Sequence, residues 1–116
     1  MSEYVTKDSG ERKTYASNMV RDTDEGKPLY TLLRSSFIPR EETMFHREAM
    51  LMTRGAQKYG KQNWELADSV EELERFKESA CRHFEQWLSG EVDEDHAAAI
   101  RFNVRAYEEI KAKMVR

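Results

Sequence analysis

Ser69-Val70-Glu71-Glu72-Leu73-Glu74-Arg75-Phe76-Lys77-Glu78-Ser79-Ala80-Cys81-Arg82-His83-Phe84-Glu85-Gln86-Trp87-Leu88-Ser89-Gly90 carries the marks of one helix from start to stop. Ser69 and Glu72 form a capping box, in which the Ser oxygen bonds an amide three residues on and the Glu reaches back. Val70, Leu73, Phe76, Ala80, Cys81, Phe84, Trp87 and Leu88 follow at spacings of three and four, an amphipathic stripe of about five turns. Gly90 supplies the stop, because glycine accepts the left-handed backbone that ends helices. Cys81 reads as a small core residue, and a lone cysteine agrees with a reducing compartment.

Downstream, Asp93 is placed to cap another helix with a core face of Ala97, Ile100, Val104, Tyr107, Ile110 and Met114. A connector this short makes the two helices antiparallel neighbours. Upstream, acids at Glu41 and Glu42 behind Pro39 suit a helix start that continues through Met44, Phe45, Leu51 and Met52 and stops at Gly60. Glu41 and Glu42 read as first-turn acids, and Glu48 as a solvent-face acid or a further carboxylate. Residues 1–30 show no periodicity and are punctuated by Gly10, Gly26 and Pro28, so they read as a polar arm or loop. Leu29-Tyr30-Thr31-Leu32-Leu33 and Ser36-Phe37-Ile38 are short helix or strand. No alternating run suggests a sheet. The expected fold is all-α: a helical bundle over residues 31–116 behind a long polar N-terminal arm.

With 22 acids and 19 bases in 116 residues, the net charge of -3 is spread along the chain. No basic stripe exists to follow a phosphate backbone, so duplex nucleic acid is not an expected partner. No apolar run approaches the roughly 20 residues of a membrane span, and Met1-Ser2-Glu3-Tyr4 does not open like a signal peptide. A cytoplasmic location is expected. Charged residues at 35% exceed the quarter or so of an average domain, which together with the long arm points to a homo-oligomer.

Polar residues flank the apolar stripes where the second and third helices meet. Ser79, Arg82, His83 and Gln86 line up on one helix, and Asp95, His96, Ala99 and Asn103 on the next. Glu91 and Asp95 offer hard oxygen ligands for Mg²⁺ or Mn²⁺, Arg82 a clamp for phosphate oxygens, and His83 and His96 imidazoles that bond phosphate, position water or ligate metal. Caps and surface ion pairs account for the same residues singly. Trp64, in Tyr59-Gly60-Lys61-Gln62-Asn63-Trp64, either plugs the core or stacks on a ligand ring, with Lys58 and Asn63 beside it.

The order Arg21-Asp22, Glu25-Gly26-Lys27-Pro28, Arg54-Gly55-Ala56-Gln57-Lys58-Tyr59-Gly60, Asn63-Trp64, Arg82-His83, Trp87, Gly90-Glu91, Asp95-His96 and Asn103 resembles the phage dATP/dGTP diphosphohydrolase N-terminal family. More distantly the chain is similar to the MazG-like all-helical nucleotide pyrophosphohydrolases. The resemblance implies cleavage of a purine deoxynucleoside triphosphate to monophosphate and pyrophosphate with Mg²⁺ or Mn²⁺, in the host cytoplasm for a phage protein. It implies a metal on Glu91 and Asp95, catalytic roles for His83, Asp95 and His96, and substrate contacts from Arg21, Lys27, Lys58, Asn63, Trp64, Arg82 and Asn103. One departure stands out: the Glu-x-x-Glu and Glu-x-x-Asp pairs of MazG-like enzymes have no clear counterpart. A nucleotide-binding protein without turnover, and a small helical interaction module, therefore stay open beside the hydrolase.

Overall fold

The structure, a computed structural model, describes residues 4–116, so the first three residues used in the reading against a signal peptide lie outside it. The chain divides into two compact units, the first ending at Arg34 and the second spanning Ser35–Arg116.

The first unit holds a feature that periodicity did not signal. Strands β1 (Arg12–Thr14) and β2 (Val20–Asp22) form an antiparallel hairpin that pairs Arg12 with Asp22, Lys13 with Arg21 and Thr14 with Val20. The expectation that the chain forms no sheet is corrected here. Three-residue strands are too short to show alternation, and the turn instead depends on Asn18, one of the few residue types that tolerates its left-handed φ of 72°. Charge pairing adds to it, since Asp22 accepts bonds from Ser9 and lies beside Arg12 and Lys27. A short 3-10 turn, Tyr30–Leu33, follows.

In the second unit, α1 spans Met44–Tyr59, α2 Val70–Leu88 and α3 His96–Met114. Helix α1 does not begin directly behind Pro39. A 3-10 turn, Arg40–Glu42, intervenes, and Thr43 caps α1 by accepting the amide of His46. Helix α2 starts where the capping box places it: Ser69 accepts the amide of Glu72, whose carboxylate takes the Ser69 hydroxyl and the Asp68 amide. The chain leaves α2 through Gly90 at a φ of 76°. Helix α3 is capped by Asp95, which accepts the amide of Ala98, and not by Asp93, because Asp93 turns its carboxylate to His96.

Helices α2 and α3 are antiparallel, as the pairs His83–His96, Phe76–Phe102 and Lys77–Tyr107 show. Ala98, Ala99 and Ala106 are buried on α3, where small side chains let the helices approach closely. The apolar core lies at the far end of this pair, where Ala67, Leu73 and Ile110 are buried against Trp64, Phe76, Tyr107 and Met114. Trp64 meets Phe102 edge-on and lies under the Arg105 guanidinium, so it plugs the core. Helix α1 joins α3 through charge: Glu48 is buried and accepts bonds of 2.6 Å from both Arg101 and Arg105.

The packed side of α2 is narrower than its apolar stripe. Leu73, Phe76 and His83 face α3, whereas Val70, Cys81, Phe84, Trp87 and Leu88 are exposed. The reading of Cys81 as a core residue is corrected, because the three helices bury only one side of α2. Val104 is likewise exposed on α3. No helix among the described residues is long and apolar enough to cross a membrane.

Candidate functional site

Gly90 reverses the chain between α2 and α3, and the residues that follow line one wall of an open cleft of about 610 Å³. Glu91, Asp93, Asp95 and His96 stand on that wall, and Arg47, Leu51 and Arg54 of α1 stand across from it, with Trp87 at the side. Arg47 and Arg54 are seven positions apart on α1, two turns, so the helix presents both on one face.

Ligand atoms of Glu91, Asp93 and His96 lie within 4.8 Å of one another, close enough to share one cation. His96 is buried, and its Nε2 lies 2.8 Å from Asp93 Oδ1. This bond, above all, holds the Asp93 carboxyl below the usual carboxylate range. On the other side of the same ring, His96 Nδ1 lies 2.9 Å from Nδ1 of His83 on α2, also buried. Burial is the chief cause that pushes the His83 imidazole down, so its neutral form is favoured.

A donor set of two carboxylates and one imidazole fits Mn²⁺ and other transition ions better than Mg²⁺, which prefers oxygen and retained water. Asp95 has different work. Arg47 reaches it with Nε at 2.9 Å and Nη2 at 2.7 Å, a bidentate fork, while its Oδ1 also accepts the α3 cap bond. The Arg47 bond is the main reason its carboxyl is held low. With both oxygens engaged, Asp95 is a strut of the cleft wall, and Asp93 stands in the place assigned to it as a partner of Glu91.

Of the residues the sequence placed at one site, Glu91, Asp95 and His96 line the cleft and His83 backs it. Lys58, Asn63, Trp64, Arg82 and Asn103 do not line it. Asn63 and Trp64 belong to a 3-10 turn (Asn63–Leu66) at the core end of the helix pair, Lys58 lies over the Tyr59 ring, and Arg82 is exposed beside Ser79. Asn103 is buried and donates to the Ala99 carbonyl within its own helix. Arg21 and Lys27 belong to the first unit. Sequence reading gave Arg47 and Arg54 no site role, took Asp93 as a cap and took Trp87 as part of the apolar stripe, whereas all four line the cleft. The spacing of the two arginines was a usable signal. The position of Trp87 was not, because its place in the apolar stripe reads as core.

The family model described as dATP/dGTP diphosphohydrolase, N-terminal, matches residues 17–115. No curated protein and no solved structure matches the chain.

Proposed function

The chain belongs to the dATP/dGTP diphosphohydrolase N-terminal family, and we propose on that premise that it hydrolyses purine deoxynucleoside triphosphates to monophosphate and pyrophosphate with a divalent cation. The observation that carries this reading is the cleft itself, with a cation-binding set on one wall and two arginines on the other.

Glu91, Asp93 and His96 would hold the cation, with Mn²⁺ the better fit. Bound there, the metal supplies Lewis-acid polarisation of phosphoryl oxygens and a more acidic water. Arg54 makes no ion pair among the described residues and would take the phosphate oxygens, with Arg47 beside it anchored by Asp95. The half-exposed Trp87 ring offers a stacking surface for the purine. Water adds across the bond between the α- and β-phosphates, one product oxygen coming from that water. In a MazG-like homo-oligomer, the first unit would carry Arg21 and Lys27 to a neighbour's site. The setting is the cytoplasm, the host's if the gene is a phage's.

Pyrophosphate release from dATP, dGTP, dCTP and dTTP with Mn²⁺ or Mg²⁺ tests this. Turnover of the purine nucleotides is expected to be faster with Mn²⁺ and to fall at least about 100-fold in Asp93→Asn, as loss of a metal ligand should cost. Turnover unaffected by Asp93→Asn would move the site elsewhere.

One observation favours a second reading, nucleotide binding without turnover. Among the described residues the one buried helix carboxylate, Glu48, is spent on Arg101 and Arg105, and the two acids close enough to share a cation, Glu91 and Asp93, stand in the connector before α3. Tight binding of dATP with no pyrophosphate released under either metal would select this alternative.

A further inference from the structure

We propose that His83 is a positioning residue that sets which nitrogen His96 presents to the cation, a role that rests on the metal reading above. The two rings meet nitrogen to nitrogen at 2.9 Å, with centroids 5.1 Å apart and both side chains buried. A contact this short between ring nitrogens needs one hydrogen between them, donated by one ring and accepted by the other.

Two orders satisfy that condition with both rings neutral. In the first, His96 donates its Nε2–H to Asp93, leaves Nδ1 bare, and accepts there the Nδ1–H of His83. In the second, the Nε2 lone pair of His96 is turned to a cation beside Glu91 and Asp93. Its proton then sits on Nδ1, His83 accepts it at Nδ1, and the proton of His83 sits on Nε2. Each ring keeps one proton throughout, so no charge changes.

His83 can serve both orders because its far nitrogen is free. Among the described residues Nε2 of His83 has no hydrogen-bond partner and no buried side-chain nitrogen or oxygen lacks one, so this atom is open to solvent. Water accepts from Nε2–H or donates to the bare nitrogen equally well. A lysine here could not accept, and a carboxylate could not donate. Histidines that ligate metals are held in this way by a bond from the opposite ring nitrogen. The proposed ligands Glu91, Asp93 and His96 are thus joined by a fourth residue that orients one of them without touching the cation.

The test uses the full chain with Zn²⁺ alone as probe, because Zn²⁺ is diamagnetic and accepts imidazole and carboxylate ligands. Long-range ¹H–¹⁵N spectra of ¹⁵N-histidine protein read the tautomer of each ring, with His46 as internal reference. Saturation with Zn²⁺ is expected to convert His83 from the Nδ1–H to the Nε2–H form and to shift His96 Nε2 as a ligand. Calorimetry should show His83→Phe binding Zn²⁺ about 10- to 100-fold more weakly, the usual effect of losing such a partner. His83→Gln, whose amide can donate or accept, should recover most of that loss. Zinc bound with the His83 tautomer unchanged, or bound equally well by His83→Phe, overturns the inference and leaves the metal site standing. Failure of the wild-type chain to bind Zn²⁺ overturns both. Should His83→Phe not fold, the wild-type spectra and His83→Gln decide alone.

Discussion

Asp95 accepts the Arg47 fork and the Ala98 amide together, and that bonding, the Arg47 fork above all, keeps its carboxyl ionised to lower pH in the folded chain than in the unfolded one. The unfolded chain takes up the proton first as pH falls, near the ordinary value of about 3.9. The stabilisation is therefore fully present above about pH 4 and is lost as pH drops through the folded value. Asp95→Asn keeps a capping oxygen but removes the charge, so its melting temperature should fall less steeply than that of the wild type between about pH 4 and pH 2. Thermal melts across that range check this, and parallel curves would dissociate the Arg47 bond from acid stability. At this scale the sequence was half legible. Asp95 and His96 were conspicuous as polar residues beside an apolar stripe, but Arg47 lies 48 positions from its partner, and nothing local in the chain marks such a pair. Cys81 misled for the opposite reason, since spacing shows that a residue is on an apolar face and not whether anything covers that face.

Among the elements, the start of α2 and the stops of α1 and α2 were the most legible features, because Ser69, Gly60 and Gly90 act through bonds and backbone angles confined to a few residues, whereas the starts of α1 and α3 lie a few residues past the expected places. The docking of α1 was not legible, because it rests on Glu48 reaching across to two arginines. Removing a buried partner from such a cluster costs about 3–5 kcal/mol when the charges left behind are sealed from water. Here Arg101 is 40% exposed and Arg105 36% exposed, so water will screen them. Glu48→Ala is accordingly expected to cost about 2 kcal/mol in urea unfolding. Hydrogen exchange should show faster exchange in α1 while α2 keeps its protection. An equal loss of protection in all three helices would mean that α1 is integral to the fold and not a docked element. The hairpin escaped notice because β1 and β2 are three residues each, below the length at which alternation becomes a pattern.

For the molecule as a whole, the amount of large apolar surface left in water is the outstanding quantity. Phe84, Trp87 and Leu88 stand exposed at adjacent positions of one face of α2, Leu32 and Leu33 are exposed in the first unit and Phe37 in the second. Clustered exposed apolar side chains such as those of α2 usually mark contact with another chain. Light scattering at micromolar concentration is expected to give a multiple of the single-chain mass. Replacing both Phe84 and Leu88 by Glu should reduce it to one chain without loss of helical circular dichroism. A single-chain mass for the unaltered protein would remove the oligomer. Leu73 and Ile110 anchor one end of the α2–α3 pair, while His83, His96 and the cleft occupy the other, ten residues or roughly 15 Å along α2. Within the α2–α3 pair, the apolar anchorage and the candidate site thus occupy different stretches, with α1 supplying the facing wall of the cleft. On the proposed function, substitutions at the exposed Trp87 or Arg54 are expected to alter substrate choice while drawing little on folding stability, because neither side chain belongs to the buried core.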